Sequence, residues 1–186
     1  NYPNMPTGTP GSLPLFEKLV AFSQNHGILL CNDNPYSFIL NKEYHSLLEV
    51  DGAGEIVLEL NSLSKSHNMA GWRIGMVAGH SDYIKEVLKV KSNMDSGMFL
   101  AMQMAAVEAL NNPETWYDTI NATYYRRRKI VEEIMDIIDC RFDKSQVGLF
   151  VWGMIPDKIS SCETYVEEIL NMTHVFITPG YIFGEN

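Results

Sequence analysis

Residues 62–75 read SLSKSHNMAGWRIG, and they come shortly after the apolar run IVLEL at residues 56–60. A short apolar run that ends in polar residues is typical of a strand inside an α/β sheet. Lys65 therefore lies just beyond the end of a predicted strand, and Arg73 follows in the same segment. Because ligands of open α/β sheets collect at the carboxyl ends of the strands, we expect this segment to carry a functional site.

Two further apolar runs, at residues 28–31 and 74–78, predict neighbouring strands, and the first of them ends in Asn-Asp-Asn-Pro at residues 32–35. Such weakly alternating runs are typical of strands that are covered on both faces. Downstream, the pattern changes to helical segments. The other predicted elements are helices at 12–27, 81–92, 98–110, 113–139 and 160–170, and strands at 146–154 and 175–178. We therefore expect an α/β sheet domain followed by an α+β layer.

The composition excludes several classes of partner. The chain has 186 residues and a formal net charge of −9, which provides no basic surface for nucleic acid or for an anionic membrane. The basic run at residues 126–129 is predicted to be a solvated helix face. The three cysteines and five histidines show no metal-ligand spacing, so no metal is expected. The sequence has no apolar run of about 18 residues, and we expect a reducing, cytoplasmic location without membrane contact.

The polar residues at the predicted sheet edge fit one cofactor chemistry. Desolvation at an apolar sheet edge disfavours the charged form of an amine, so Lys65 is a candidate for Schiff-base formation. Arg73 and Ser62 are candidates for holding a phosphate through a guanidinium and a hydroxyl. Asp33 can face a protonated ring nitrogen, and Tyr36 can donate to a phenolate oxygen. A lysine combined with an acidic partner for a pyridinium nitrogen is the pattern expected for pyridoxal 5′-phosphate (PLP).

Three segments resemble motifs of one enzyme family. Residues 62–75 closely resemble the lysine motif of the fold-type I PLP-dependent aminotransferases of class I/II. The sequence Asp-Asn-Pro-Tyr at residues 33–36 is similar to the Asp-x-x-Tyr motif of that family, and residues 3–8 resemble its Asn-Pro-Thr-Gly loop. The resemblance extends over residues 1–186, without the family's N-terminal part and without the C-terminal segment that carries the substrate-binding arginine.

The resemblance implies a fold and two domains. Residues 1–112 are expected to form the central part of a large PLP-binding domain with a mostly parallel sheet and helices. Residues 113–186 are expected to form most of an α+β small domain. The protein is therefore predicted to be a partial α/β PLP-transferase fold.

The resemblance also implies roles for individual residues. Lys65 is expected to be the catalytic residue, forming the internal aldimine and moving the substrate proton. The other expected cofactor-binding residues are Asp33, Tyr36, Ser62, Arg73 and Asn4. The family usually has an asparagine directly before Pro-Thr-Gly, whereas this chain has Met5 there, a poor hydrogen-bonding side chain.

The function implied by this family is PLP-dependent transfer of an amino group between an amino acid and a 2-oxo acid. Two alternatives share the fold: a lyase that catalyses C–S or another β- or γ-elimination, and a non-catalytic aminotransferase-like domain. The activity of this truncated chain is left open by the sequence. Unpaired strand edges favour self-association, so a homo-oligomer is expected, as in the dimeric family.

Overall fold

The computed structural model describes residues 1–184, so the last two residues of the predicted small domain lie outside the described part. The helices and strands, in chain order, are α1 (Leu13–His26), β1 (Leu30–Asp33), β2 (Val57–Ser62), α2 (Leu63–Ser66), β3 (Gly75–Gly79), α3 (Ser81–Met94), α4 (Leu100–Leu110), α5 (Thr115–Ile137), β4 (Arg141–Phe142), β5 (Gly153–Met154) and α6 (Cys162–Thr173). Single 3₁₀ turns occur at Leu47–Glu49, Ala53–Glu55, Ala70–Trp72 and Gly180–Phe183. The five predicted helices are confirmed, with ends that differ from the prediction by at most three residues.

Helix α1 ends at a glycine cap, as its sequence predicts. Gly27 adopts a left-handed conformation with φ of 62°, and its N–H donates to Gln24. The N–H of Ile28 then donates to the carbonyl of Ser23 over 3.0 Å. A left-handed glycine at this position is the local chemistry that satisfies the last carbonyls of a helix.

The main sheet has three strands in the order β1-β2-β3. The β1 and β2 strands are parallel, with Asp33 opposite Leu60, whereas β2 and β3 are antiparallel, with Ser62 opposite Gly75. The expectation of a mostly parallel sheet therefore holds for one of the two pairs. The connection between β2 and β3 forms a single helical turn and a 3₁₀ turn, and it does not provide the long crossover helix by which parallel neighbours are usually joined.

The predicted covering of both sheet faces is confirmed at the start of β2, where Val57, Leu58 and Glu59 are all buried, and is wrong for β3. One face packs on a core formed by α1 and the two 3₁₀ turns between β1 and β2, with Phe16, Val20, Leu47 and Val57 fully buried. On β3, by contrast, Met76 remains 63% exposed. The strand pattern indicated apolar surfaces but not which of them the helices of this chain would cover.

A buried carboxylate fixes the loop that follows β1. Glu59, in the middle of β2, is only 8% exposed. Its Oε2 accepts hydrogen bonds from the Leu47 N–H at 2.7 Å and from the Ser46 hydroxyl at 2.9 Å. Its Oε1 accepts from the side-chain amide of Asn34 at 3.3 Å. Because Asn34 directly follows Asp33, this network holds the end of β1 against β2.

The second layer, which is the part of the chain from α5 onward, contains less strand than predicted. Of the predicted strand at 146–154, only Gly153–Met154 is a strand, paired with Arg141–Phe142. The side-chain NH₂ of Gln146 donates to the Trp152 carbonyl, and its side-chain oxygen accepts from the Trp152 N–H, both at 2.7 Å. These two hydrogen bonds replace those that a neighbouring strand would make. The predicted strand at 175–178 does not form, and no strand pairs with it among residues 1–184. The boundary of the two predicted domains stays a prediction.

The basic run on α5 is only partly the solvated face that its sequence predicted. Arg126, Arg127 and Lys129 are exposed, whereas Arg128 is half-buried. Its guanidinium donates to the carbonyls of Gly148 at 2.9 Å and Phe150 at 3.1 Å, and also to that of Gln146. Burial lowers the pKa of Arg128. This residue therefore ties α5 to the loop at 146–150.

None of the helices in residues 1–184 combines the length and the apolar character needed to cross a bilayer. Within the same residues, no three His, Cys, Asp or Glu side chains are grouped as metal ligands.

Replacing Glu59 is expected to destabilise the fold. In Glu59→Gln, an NH₂ group cannot accept the hydrogen bonds that now reach the carboxylate, so buried donors lose their acceptor. We expect the free energy of unfolding to fall by about 1–3 kcal/mol, measured by urea denaturation. The same change at the exposed Glu43 is the control, and equal stability of both variants would contradict the assigned role of the Glu59 network.

Candidate functional site

The carboxyl ends of β1 and β2 lie at the same edge of the sheet. The Asn34 N–H donates to the Leu60 carbonyl at 2.8 Å, which continues the pairing just beyond Asp33. The β3 strand starts at this edge, because Gly75 lies opposite Ser62. A Cβ at Gly75 would lie 2.8 Å from the Asn61 carbonyl oxygen, so only glycine allows this close approach. The backbone positions of Asp33, Ser62 and Arg73 therefore share one edge. The strand ends at Asp33 and Ser62 meet there because β1 and β2 are parallel, whereas Arg73 reaches this edge because β3 is antiparallel to β2.

Lys65 lies in α2, a single helical turn that is held by hydrogen bonds and apolar contacts with the segments that follow it. The Leu63 N–H donates to the Ile74 carbonyl, and the Met69 N–H donates to the Leu63 carbonyl, each at 3.2 Å. Met69 and Ile74 are buried against Ala106 of α4. Lys65 itself is half-buried and is not fully enclosed. The turn is thus fixed by its apolar neighbours while the lysine remains accessible.

Tyr36 and Asp33 are electrostatically coupled. Burial, and secondarily the nearby Asp33 carboxylate, raise the pKa of the Tyr36 phenol. The Tyr36 ring packs edge-on against Phe150, with 5.8 Å between the ring centroids. The phenol is therefore protonated at neutral pH and available as a hydrogen-bond donor, while Asp33 is exposed at the strand end.

Arg73 and Ser62 provide polar groups with few partners. Arg73 is exposed in a left-handed conformation with φ of 53°, and one guanidinium N–H donates to the Ala70 carbonyl at 3.1 Å. The Ser62 hydroxyl makes no capping hydrogen bond to α2. Among the ion pairs formed within residues 1–184, none involves Arg73, Lys65 or Asp33. A cation, an amine and a carboxylate are thus all open to a ligand.

Asn4 is engaged within its own loop. Its side-chain oxygen accepts from the Thr7 hydroxyl at 2.7 Å, and its amide donates to the Asn1 side chain at 3.0 Å. No hydrogen bond within the described residues joins Asn4 to the other predicted site residues. Its predicted role is therefore not supported by a direct contact.

A cavity in the described part of the chain lies away from this edge. It has a volume of about 590 Å³, and its lining includes Met135, Trp152 and Tyr165. These belong to α5, to the segment before β5 and to α6, so the cavity lies within the second layer. The predicted site is instead an open surface at the sheet edge.

The sequence reasoning missed the contribution of α5 to the site. The indole N–H of Trp116 donates to the Ser66 carbonyl at 2.9 Å, next to Lys65. The Asn121 side chain donates to the Phe38 carbonyl at 3.0 Å and accepts from the Leu40 N–H at 2.7 Å, in the loop after Tyr36. The same helix therefore contacts the loop of Tyr36 and the turn of Lys65.

A signal for this role was present in the sequence. Tyr117, Asn121 and Tyr124 recur at helical spacing on one face of the predicted helix. Tyr117 stacks on Phe38 with 5.1 Å between ring centroids, and the Tyr124 hydroxyl lies 3.4 Å from the Asn68 side-chain oxygen. An aromatic and amide stripe of this kind predicts a helix face that docks on polar loops.

Comparison with known proteins identifies the family. The sequence model described as "Aminotransferase class I and II" matches residues 1–186. The chain is 37% identical over 187 residues to an LL-diaminopimelate aminotransferase of Aquifex aeolicus, covering 100% of this chain and 48% of the relative. It is 39% identical to LL-diaminopimelate aminotransferase 2 of Trichormus variabilis, covering 99% of this chain and 47% of that protein. The chain thus spans about half the length of the curated relatives it matches.

Solved structures agree with this match. The apo structure of BacF from Bacillus subtilis superposes with a TM-score of 0.92 at 31% identity, over 100% of this chain and 48% of BacF. An aromatic aminotransferase from Pyrococcus horikoshii superposes with a TM-score of 0.90 at 27% identity, over 98% of this chain and 50% of that one. With its full length matched in sequence and its mixed α/β fold matched in structure, this chain belongs to the class I and II aminotransferases, a PLP-dependent family.

Proposed function

We propose that the protein takes part in PLP-dependent transfer of an amino group between an amino acid and a 2-oxo acid, with Lys65 as the reacting amine. The observation that supports this most directly is the accessible Lys65 on an anchored turn beside the strand ends of Asp33 and Ser62. The relatives described above are aminotransferases, which favours transamination over elimination. The whole enzyme's reaction would also require the portion of the relatives that this chain does not match.

The donor set of the sheet edge fits PLP. A primary amine, a carboxylate, a phenol and a guanidinium with a hydroxyl correspond to the aldehyde, ring nitrogen, ring oxygen and phosphate of that cofactor. When bound, PLP supplies an aldehyde that reacts with amines and a ring that accepts electrons from the substrate α-carbon. Lys65 Nζ would then hold and move the proton of the α-carbon.

The remaining residues would orient PLP and keep its ring nitrogen protonated. The Asp33 carboxylate would keep a proton on the ring nitrogen, and the Tyr36 hydroxyl would donate to the ring oxygen. Ser62 and Arg73 would bind the phosphate, for which a guanidinium provides paired N–H donors. Asn4 would assist only if its side chain left Thr7 and Asn1.

The substrate proposal follows the relatives. The Aquifex and Trichormus relatives carry the name LL-diaminopimelate aminotransferase, and a Thermus thermophilus structure that matches 86% of this chain is called a probable N-succinyldiaminopimelate aminotransferase. We therefore propose LL-diaminopimelate as the first amino donor to assay, with a 2-oxo acid as acceptor. The homo-oligomer and the cytoplasmic location stay predictions.

Trapping with borohydride tests the role of Lys65. The protein is incubated with PLP, reduced, digested and mapped by mass spectrometry. We expect the reduced adduct on Lys65 in clear excess over Lys85 and Lys89, which are 67% and 69% exposed. Lys65→Arg is expected to lose the adduct and, in any form of the protein that transfers amino groups, to lower the rate by about 10²–10⁴-fold. An even distribution of adducts over surface lysines would refute the proposal.

The phosphate role of Arg73 is tested by comparing PLP with pyridoxal, which lacks the phosphate. In Arg73→Met we expect the PLP concentration for half-maximal trapping to rise about tenfold or more, because a charge-assisted contact is lost. The value for pyridoxal should stay unchanged. Arg126→Met, an exposed arginine on α5, is the control. Equal losses for both aldehydes would argue against a phosphate contact.

The coupling of Asp33 and Tyr36 predicts a pH effect. A raised phenol pKa favours the folded state below about pH 10, where an unfolded tyrosine starts to ionise, and this contribution is lost as the pH rises through the folded pKa. Asp33→Asn removes one of the two causes, so the pKa of Tyr36 should fall while burial keeps it above the ordinary value.

Alkaline titration of tyrosinate absorbance measures this pKa. The difference between proteins with and without Tyr36→Phe isolates the one phenol, and Asp51→Asn is the control for an exposed carboxylate. A Tyr36 titration that is identical with and without the Asp33 carboxylate would rule out the coupling.

A further inference from the structure

Ser66, the residue directly after Lys65, is held from two sides. Its carbonyl oxygen accepts the indole N–H of Trp116 at 2.9 Å, across 50 positions of sequence. Its hydroxyl lies 2.9 Å from Nδ1 of His67. Ser66 is 3% exposed and His67 is 7% exposed, so the contact between hydroxyl and imidazole is shielded from water, and the hydrogen bond from Trp116 is partly shielded. Ser66 is the last residue of α2, the helical turn that directly follows β2.

Two aromatic rings of α5 pack against His67, the residue next to Ser66. The His67 imidazole lies nearly parallel to the Trp116 indole, with 6.1 Å between centroids and 14° between planes. Tyr117 meets the same imidazole edge-on at 5.7 Å. Burial lowers the pKa of His67, an effect that the Ala109 carbonyl partly opposes. A neutral imidazole can accept from the Ser66 hydroxyl through Nδ1, which matches the short distance.

The length of α2 makes these contacts necessary. A helix of four residues cannot be stable by itself, because nucleation of a single turn is unfavourable. The direction of the Lys65 side chain therefore depends on what holds the turn from outside. The apolar contacts of Leu63 and Met69 fix its first residue and the loop beyond it, and Trp116 holds its last residue.

We propose that Trp116 is a positioning residue, whose indole N–H fixes the carbonyl of Ser66 so that Lys65 Nζ is directed at the aldehyde of PLP. This inference rests on the proposed function of Lys65. Trp116 touches neither the lysine amine nor the cofactor in this role and acts through the backbone of α2. Because misplacement by about 1 Å can slow a reaction about 10²-fold, a single distant hydrogen bond can matter for reactivity.

The test separates covalent reaction from cofactor binding. Pyridoxine 5′-phosphate has the ring and phosphate of PLP but no aldehyde, so its affinity reports binding alone. The rate of borohydride trapping at Lys65 with saturating PLP reports the approach of the amine. In Trp116→Phe we expect the trapping rate to fall about tenfold or more, while the affinity for pyridoxine 5′-phosphate changes by less than about twofold.

Trp152→Phe is the matched control. Trp152 is also half-buried, but its ring packs on Phe183 in the second layer, away from α2. We expect this variant to trap PLP at Lys65 as fast as the unsubstituted protein. A loss of the same size in both variants would show a general effect of removing an indole and would overturn the proposal.

A second substitution covers the case in which Trp116→Phe does not fold. Benzothienylalanine at position 116 keeps the shape of the indole and replaces its N–H by sulfur, so only the hydrogen bond to Ser66 is removed. Unchanged trapping in this variant overturns the proposal, as does a parallel loss of trapping and of pyridoxine 5′-phosphate affinity in either variant. If the unsubstituted protein traps no PLP at Lys65, the proposed function fails, and this inference fails with it.

Discussion

The stability of one four-residue turn is the constraint on which this site depends. The α2 turn leaves β2 at the sheet edge and carries Lys65, yet a single helical turn has too few internal hydrogen bonds to persist alone. Its first residue is held by the backbone of Ile74, its underside packs on α4, and its last residue is held by Trp116. None of these contacts uses the Lys65 side chain.

The two carboxylates near the strand ends differ because their environments differ. Glu59 is buried and accepts three hydrogen bonds, so its charge is satisfied inside the protein and its role is structural. Asp33, on the neighbouring strand, is exposed and raises the pKa of Tyr36. The buried acid holds the loop so that the exposed one stands at a defined place, which is what a ligand with a charged ring nitrogen requires.

Helix α5 joins parts of the chain that are far apart in sequence. Its first turns hold the Lys65 turn through Trp116 and the loop after Tyr36 through Asn121. Further along, Arg128 holds the carbonyls of the loop at 146–150, and the Gly148 N–H of that loop donates to the Ile39 carbonyl at 2.8 Å. A shift of α5 would therefore move both flanks of the site together, which connects the second layer to the sheet edge.

The sequence alone determined the helices and the first three strands, because these depend on local spacing: apolar runs, polar strand ends and a left-handed glycine after α1. It did not determine the antiparallel direction of β3 or the absence of strands at 146–152 and 175–178. It also did not determine the hydrogen bonds of Arg128 to the loop at 146–150 or the contact of Trp116 with Ser66. Each of these depends on a partner distant in the chain, such as the Gln146 side chain that replaces a strand neighbour. Spacing along the chain shows what a segment can form, but only the folded structure decides which distant groups satisfy its backbone.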